Sequence, residues 1–473
     1  MRAAYWMGVF FMVGLTGVKA ELNATEVAVL VGSDTDERDL FGSDVSLSAD
    51  GKKALISARM KEGGGAAYIF SMEEGVWSQE AKFVAPNSTS YMYFGHYVAL
   101  SATGTRAFVS EINHSYQGQD SVYVFVHNAG VWSREAVLVA PDESNLNSFG
   151  NSISCTSDGS RVLIASGYPS KAYLFKLEDG LWSLEANLAE NSTNPDSLRN
   201  SMAINGDGTW AFISAFETDE GSVYTFKREA GNWVEQSRLI NDNICGGGRF
   251  GTMLAFSAEG NRALVKMDWL DSYYWGSAKE HQHEAVFVFR LENGEWLKEA
   301  KLLTNDQKNA SHVHGFGPIS MAITKSGTRV LIGAQNQGPS GGAAYIFELV
   351  NKKWSEVAKF TTSDGERGGF GNAVDISADG TRALIGAYAR ADNGDNSGLV
   401  YMWEIDPIHS TGNTWNWACD CDLDGKTTLE ECRTACRKAR GSWAWTCEAG
   451  ARGIKARRDS DETWDGMRAA CLV

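Results

Sequence analysis

The chain repeats itself. FGSDVSLSADGKKALISA from Phe41 returns as FGHYVALSATGTRAFVSE, FGNSISCTSDGSRVLIAS, FGTMLAFSAEGNRALVKM and FGNAVDISADGTRALIGA, with more altered copies LRNSMAINGDGTWAFISA from Leu198 and FGPISMAITKSGTRVLIGA from Phe316. Starts at 41, 94, 149, 198, 250, 316 and 370 define seven units. Each unit continues through an aromatic strand such as AAYIF, a turn such as EEGVW and an apolar stretch such as EAKFVAP. That pattern predicts four short strands per unit. The turn tryptophan recurs as Trp77, Trp132, Trp182, Trp233, Trp296 and Trp354, one copy fewer than there are units. The last unit stops after GLVYMWEID, and its missing strand is found at the other end, where TEVAVLVGSD from Thr25 matches REAVLVAPD from Arg134. A ring closed in this way leaves no sheet open at the seam. The expectation is an all-β, seven-bladed β-propeller over residues 21–406 closed by the N-terminal strand.

The flanks have a different character. MRAAYWMGVFFMVGLTGVKA places Arg2 before an apolar run and ends in Val18-Lys19-Ala20, so residues 1–20 read as a signal peptide. No later run reaches the roughly 20 apolar residues of a membrane helix. Secretion, or association with a cell surface, is the expected location. Sequons at Asn23, Asn87, Asn113, Asn191 and Asn309 are candidate glycosylation sites and fit that route. Of eight cysteines, Cys155 and Cys245 stand alone, whereas Cys419, Cys421, Cys432, Cys436, Cys447 and Cys471 crowd the C-terminus. In an oxidising compartment these six imply a small disulfide-stapled module at 419–473, behind a linker at 407–418, with connectivity open. The net charge of −16 argues against nucleic acid as a partner.

The Phe-Gly openings, the Leu-Ile-Gly-Ala ends at Leu331 to Ala334 and Leu384 to Ala387, and the Ala85-Pro86 and Ala140-Pro141 pairs resemble FG-GAP repeat proteins. Integrin α-subunit heads are familiar members; the G-x-W turn is more similar to secreted FG-GAP proteins. The resemblance implies an extracellular propeller used in binding or adhesion, with calcium in some blades.

Calcium in such blades requires several oxygen ligands in the turn after the first strand. Here that turn is SADG, SATG, TSDG, NGDG, SAEG, TKSG and SADG, and only its glycine is constant. A side chain that changes from Asp to Thr or Ser cannot hold a hard cation at every blade, so the turns are expected to be hairpin corners with no metal. The calcium expectation moves to CDCDLDGKTTLEEC. Asp420, Asp422, Asp424 and Glu431 take positions 1, 3, 5 and 12 of an EF-hand-like loop, with Gly425 at 6, the Lys426 carbonyl at 7 and Thr428 at 9.

One further loop stands out. MDWLDSYYWGSAKEHQHEA enlarges a connection in the fifth unit and offers Asp268, Trp269, Asp271, Tyr273, Tyr274 and Trp275 as a partner-binding surface. It carries His281 and His283, and the next connection carries His312 and His314, a weaker metal candidate of the zinc or copper kind. No catalytic motif is recognised and no catalytic residue is assigned. The favoured function is therefore an extracellular binding or adhesion propeller for a protein or glycan. The competing class is a polysaccharide hydrolase or lyase on the same scaffold, which convergent carboxylates or histidines in a deep axial pocket would favour.

Overall fold

The computed structural model describes residues 22–86, 92–113, 119–141, 148–167, 170–188, 201–215, 221–241, 248–269, 284–306, 320–335, 341–362, 365–366 and 368–407. All of them fall in the compact unit Met1–Ile408. The six C-terminal cysteines, the loop from Asp420 to Glu431, the four candidate histidines, and Asp271, Tyr273, Tyr274 and Trp275 lie outside the described residues.

Seven four-stranded antiparallel sheets form the blades. After β1 (Ala24–Leu30), the first blade runs β2 (Phe41–Leu47), β3 (Lys53–Ala58), β4 (Ala66–Glu73) and β5 (Val76–Phe83). The innermost strands of the next five blades are β6 (Met92–Leu100), β10 (Ile153–Cys155), β14 (Met202–Ile204), β18 (Gly248–Phe256) and β22 (Ser320–Ile323). The last blade has β26 (Val374–Ile376), β27 (Arg382–Ala387) and β28 (Leu399–Ile405), and its fourth strand is β1. β1 lies antiparallel to β28 with Ala24 opposite Ile405 and Leu30 opposite Val400, which is the N-terminal closure expected from the sequence. Each innermost strand touches the next around the ring, and β26 touches β2.

The second strand of a blade is apolar along nearly its whole length because both of its faces meet a neighbouring blade; RALIGA in β27 is buried from Ala383 to Ala387. Seven buried clusters result, one at each blade junction. The repeated Phe-Gly pair explains how blades come so close. Phe41, Phe94 and Phe370 are fully buried and meet Tyr68, Tyr123 and Tyr401 edge-on at 5.5, 5.3 and 5.3 Å between ring centres. The glycine after each sits at positive φ, and a Cβ on Gly371 would stand 2.4 Å from the Ala343 carbonyl of the preceding blade. Only glycine permits both the conformation and the approach.

Candidate functional site

Chain direction divides the ring into two faces. On one lie the hairpin turns after the first and third strands; on the other lie the second-to-third-strand connections and the links between blades.

The turn face is built for cohesion. In SADG of the last blade, Asp379 Oδ1 accepts from the Ser377 hydroxyl at 2.6 Å and from the Thr381 amide at 2.9 Å, and these bonds hold its carboxyl below the ordinary range although partial burial opposes them. Gly380 follows at φ 74°, as the hairpin demands. Neighbouring turns also join through the backbone: Ala49 donates to the Ala102 carbonyl, Thr103 to Ser157, Ser157 to Gly206, Lys325 to Ala378, and Ala378 back to Ala49. The recurrent tryptophan has a matching task. Trp182 Nε1 donates at 3.0 Å to Glu135 of the preceding blade, and the same carboxylate receives Arg106. Trp354, Glu299 and Arg262 repeat the arrangement, and so do Trp132, Glu80 and Lys53. Sequence reading took the tryptophan as a turn marker and missed this clamp, whose signal is the glutamate three residues after each of Trp77, Trp132, Trp182 and Trp296.

An axial cavity of about 610 Å³ is lined by the innermost strands of all seven blades. An inner strand leaves its free amides unpaired by its own sheet, and side chains of the preceding blade answer them. Asp44 Oδ2 accepts from the Val98 amide at 2.8 Å, and Ser201, Ser152 and Ser320 serve Leu254, Met202 and Val374 in the same way. Two residues further on, Ser46 serves Leu100, Ser154 serves Ile204, and Asp375 serves Leu47 at 2.7 Å. The ring is thus stitched from within by hydroxyls and two carboxylates.

Asp44 and Asp375 are the unusual members. Each uses its second oxygen on the amide of the residue that follows it, at 3.0 and 2.8 Å. Enclosure by the ring pushes Asp44 up to about 7 against the amides of Val98 and Val45, with the Asp375 charge adding to the rise and Arg59 opposing it. Burial likewise carries Asp375 to about 6 against the amides of Leu47 and Ile376. The channel also holds Cys155, a free thiol whose pKa burial raises to about 12, which leaves it protonated and unreactive at neutral pH.

The described part of the enlarged connection is its base. β19 (Arg262–Trp269) ends there and β20 (Ala285–Glu292) begins, so residues 270–284 span a gap that residues 59–65 span in the first blade. Asp268 is held by Lys266 at 2.6 Å, and burial pushes the nearby Glu284 up to about 7, with Lys266 opposing and Asp268 adding to the rise. Among the sequons, Asn23 is exposed, whereas Asn113 is buried at the end of β7 (Arg106–Asn113) with its amide on Asp120. Among the described residues no three His, Cys, Asp or Glu side chains gather as a metal site requires, and no helix is long and apolar enough to cross a membrane.

Comparison with known proteins agrees with this architecture. The FG-GAP repeat family matches residues 24–70, 77–125 and 354–403. The β-propeller domain of Cps50 (Swd1) from Myceliophteria thermophila is similar in structure at 11% identity, covering 80% of this chain and 99% of that one with a TM-score of 0.52. Hydrazine synthase of Kuenenia stuttgartiensis is similar at 15% identity over 78% and 98%, with a TM-score of 0.51. The periplasmic gluconolactonase PpgL of Pseudomonas aeruginosa follows at 17% identity over 71% and 88%, with a TM-score of 0.47. No curated protein matches the chain. At their identities the first two share with this chain the fold alone, and the chain is a seven-bladed β-propeller that carries FG-GAP repeats.

Proposed function

We propose that the chain is an extracellular binding propeller that recognises a protein or glycan through its connection face. One observation carries this reading: the polar side chains of the turn face and inner strands are committed to joining blades, through the turn backbones, the Glu-Trp clamps and the inner stitches. The described connections also bond to the next blade, as Phe41 does to the Ser397 carbonyl and Phe94 to the Gly64 carbonyl, but the connections differ in length from blade to blade. A rigid ring with one variable face is the usual arrangement of a binding scaffold. The aromatic connection at 270–283 is the chief contact, and the carboxyl groups of Asp268 and Glu284 frame its base. The C-terminal module adds a calcium ion held by Asp420, Asp422, Asp424, the Lys426 carbonyl, Thr428 and Glu431, in keeping with their spacing.

The test is a glycan and secreted-protein binding screen with the full chain and with a variant in which residues 270–283 are replaced by a short Gly-Ser connection. Loss of the screened partner in the variant upholds the reading; undiminished binding rejects that face.

A second reading, hydrolysis or elimination on an extracellular polysaccharide, is favoured by Asp44 and Asp375, two carboxyls with raised pKa facing one axial cavity. Asp44→Ser and Asp375→Ser separate the two. Either substitution abolishes turnover if the carboxyls are acid and base, and leaves partner binding intact if they only stitch blades.

A further inference from the structure

A second cavity, of about 200 Å³, opens beside the β3–β4 connection and is lined by Arg38, Arg59, Lys61, Glu62, Gly63 and Tyr93 among others. It belongs to the connection face, because residues 59–65 link β3 to β4.

Arg59 is unlike the repeat arginines. Arg106, Arg161, Arg262 and Arg329 each hold a glutamate. Arg59 holds none: its Nε is buried and donates to no acceptor. That buried N–H is out of a ligand's reach, but the side chain as a whole is only partly buried and lines the pocket, so an acceptor supplied from outside can meet the guanidinium where no carboxylate of the described residues pairs with it. The other two cations of the pocket are engaged, Lys61 by Asp39 at 2.9 Å and Arg38 by Glu37 at 3.3 Å. Asp44 attracts Arg59 electrostatically from the channel side. Space is available as well, since a Cβ added at Gly63 would meet nothing within 4 Å. With a net charge of −16 the whole molecule repels anions, so selection here depends on short-range donors.

We propose that this pocket binds an oxyanion, the carboxylate or sulfate group of an acidic saccharide, with Arg59 as its principal donor. A planar guanidinium presents paired N–H groups that match such an anion, and the Tyr93 ring gives the sugar an aromatic wall. The proposal rests on the reading of this face as a binding surface and names the chemistry it accepts.

The test is calorimetric titration of the full chain with glucuronate, sodium sulfate and glucose at low ionic strength, repeated with Arg59→Gln and with Lys353→Gln as a remote control. Glucuronate, sulfate or both bind, glucose does not, Lys353→Gln changes nothing, and Arg59→Gln weakens the anion by at least about tenfold, the loss expected of one charge-assisted contact. Binding of only one anion through Arg59 upholds the proposal and names its source. No anion binding, or an Arg59→Gln chain that binds as the parent does, overturns it. If Arg59→Gln does not fold, Arg59→Lys is read instead: it keeps the charge and loses the fork, and undiminished binding again overturns the proposal. The two ideas fail separately. Anion binding at Arg59 alongside a partner indifferent to residues 270–283 rejects the earlier reading alone, and a loop-dependent partner without anion binding rejects this one alone.

Discussion

Arg329 reaches from the sixth blade to the residues at the ring's closure. It is fully buried, donates to the buried Glu348, and reaches the Gly380 carbonyl and, at 2.8 Å, the Asp406 carbonyl. Asp406 in turn exchanges backbone and side-chain bonds with Asn23, so one guanidinium ties the sixth blade to the turn of the seventh and to the chain's closure point. Arg329→Ala leaves Glu348 buried and alone, and should cost about 3–5 kcal/mol in denaturant unfolding; a loss under about 1 kcal/mol contradicts the buried clamp. Asp44 makes a prediction of opposite sign. Its pKa rises from 3.8 to about 7 on folding, so the folded chain holds that proton more tightly than the unfolded chain. The associated stability is present in full below the unfolded value and is lost as pH rises through the folded one. Asp44→Ser keeps an acceptor of the kind Ser152 and Ser201 provide and removes the charge. The unfolding free energy of the parent minus that of the variant should therefore fall between about pH 4 and pH 7 and level off above; a difference independent of pH contradicts the enclosed carboxyl. Glycopeptide mapping checks a third residue-level expectation: Asn23 is exposed and accepts a glycan, whereas Asn113 is buried and stays bare.

At the scale of elements, β1 is the piece that makes an open sheet into a ring. Removing Ala24–Leu30 leaves the last blade with three strands and bares the edge of β28. The truncated chain should unfold at lower temperature and associate through that edge, which light scattering would register. The chain divides after Ile408, and the module proposed for the second unit, His409–Val473, carries its own expectation. Millimolar calcium should raise the unfolding temperature of residues 414–473, and no shift would sink the EF-hand-like assignment. The strands and their closure were legible in the amino-acid sequence because each blade must bury the same faces. Phe-Gly, the apolar second strand and the turn glycine therefore recur at fixed offsets. The inner stitch was less legible: Asp44, Ser152, Ser201 and Ser320 share one position, but Tyr97, Met253 and Ala373 also occupy it, and the role emerges only when the next blade's amide is in view. Arg59 was not legible at all, because it lies in a connection that follows no repeat and its significance is that no glutamate holds it as one holds the repeat arginines.

For the whole molecule, the turn face carries the blade-to-blade bonds, and the proposed recognition surface lies on the other face. Seven junction clusters, the turn-to-turn backbone bonds and the Glu-Trp clamps make the ring one cooperative body on the turn side. The connection face holds the enlarged aromatic segment and the Arg59 pocket. Backbone hydrogen exchange of the chain with and without its screened partner tests this division most directly. New protection is expected at residues 59–65 and 270–283, with the turns at 48–51 and 377–380 unchanged. Protection centred on those turns, with the connections untouched, would contradict it.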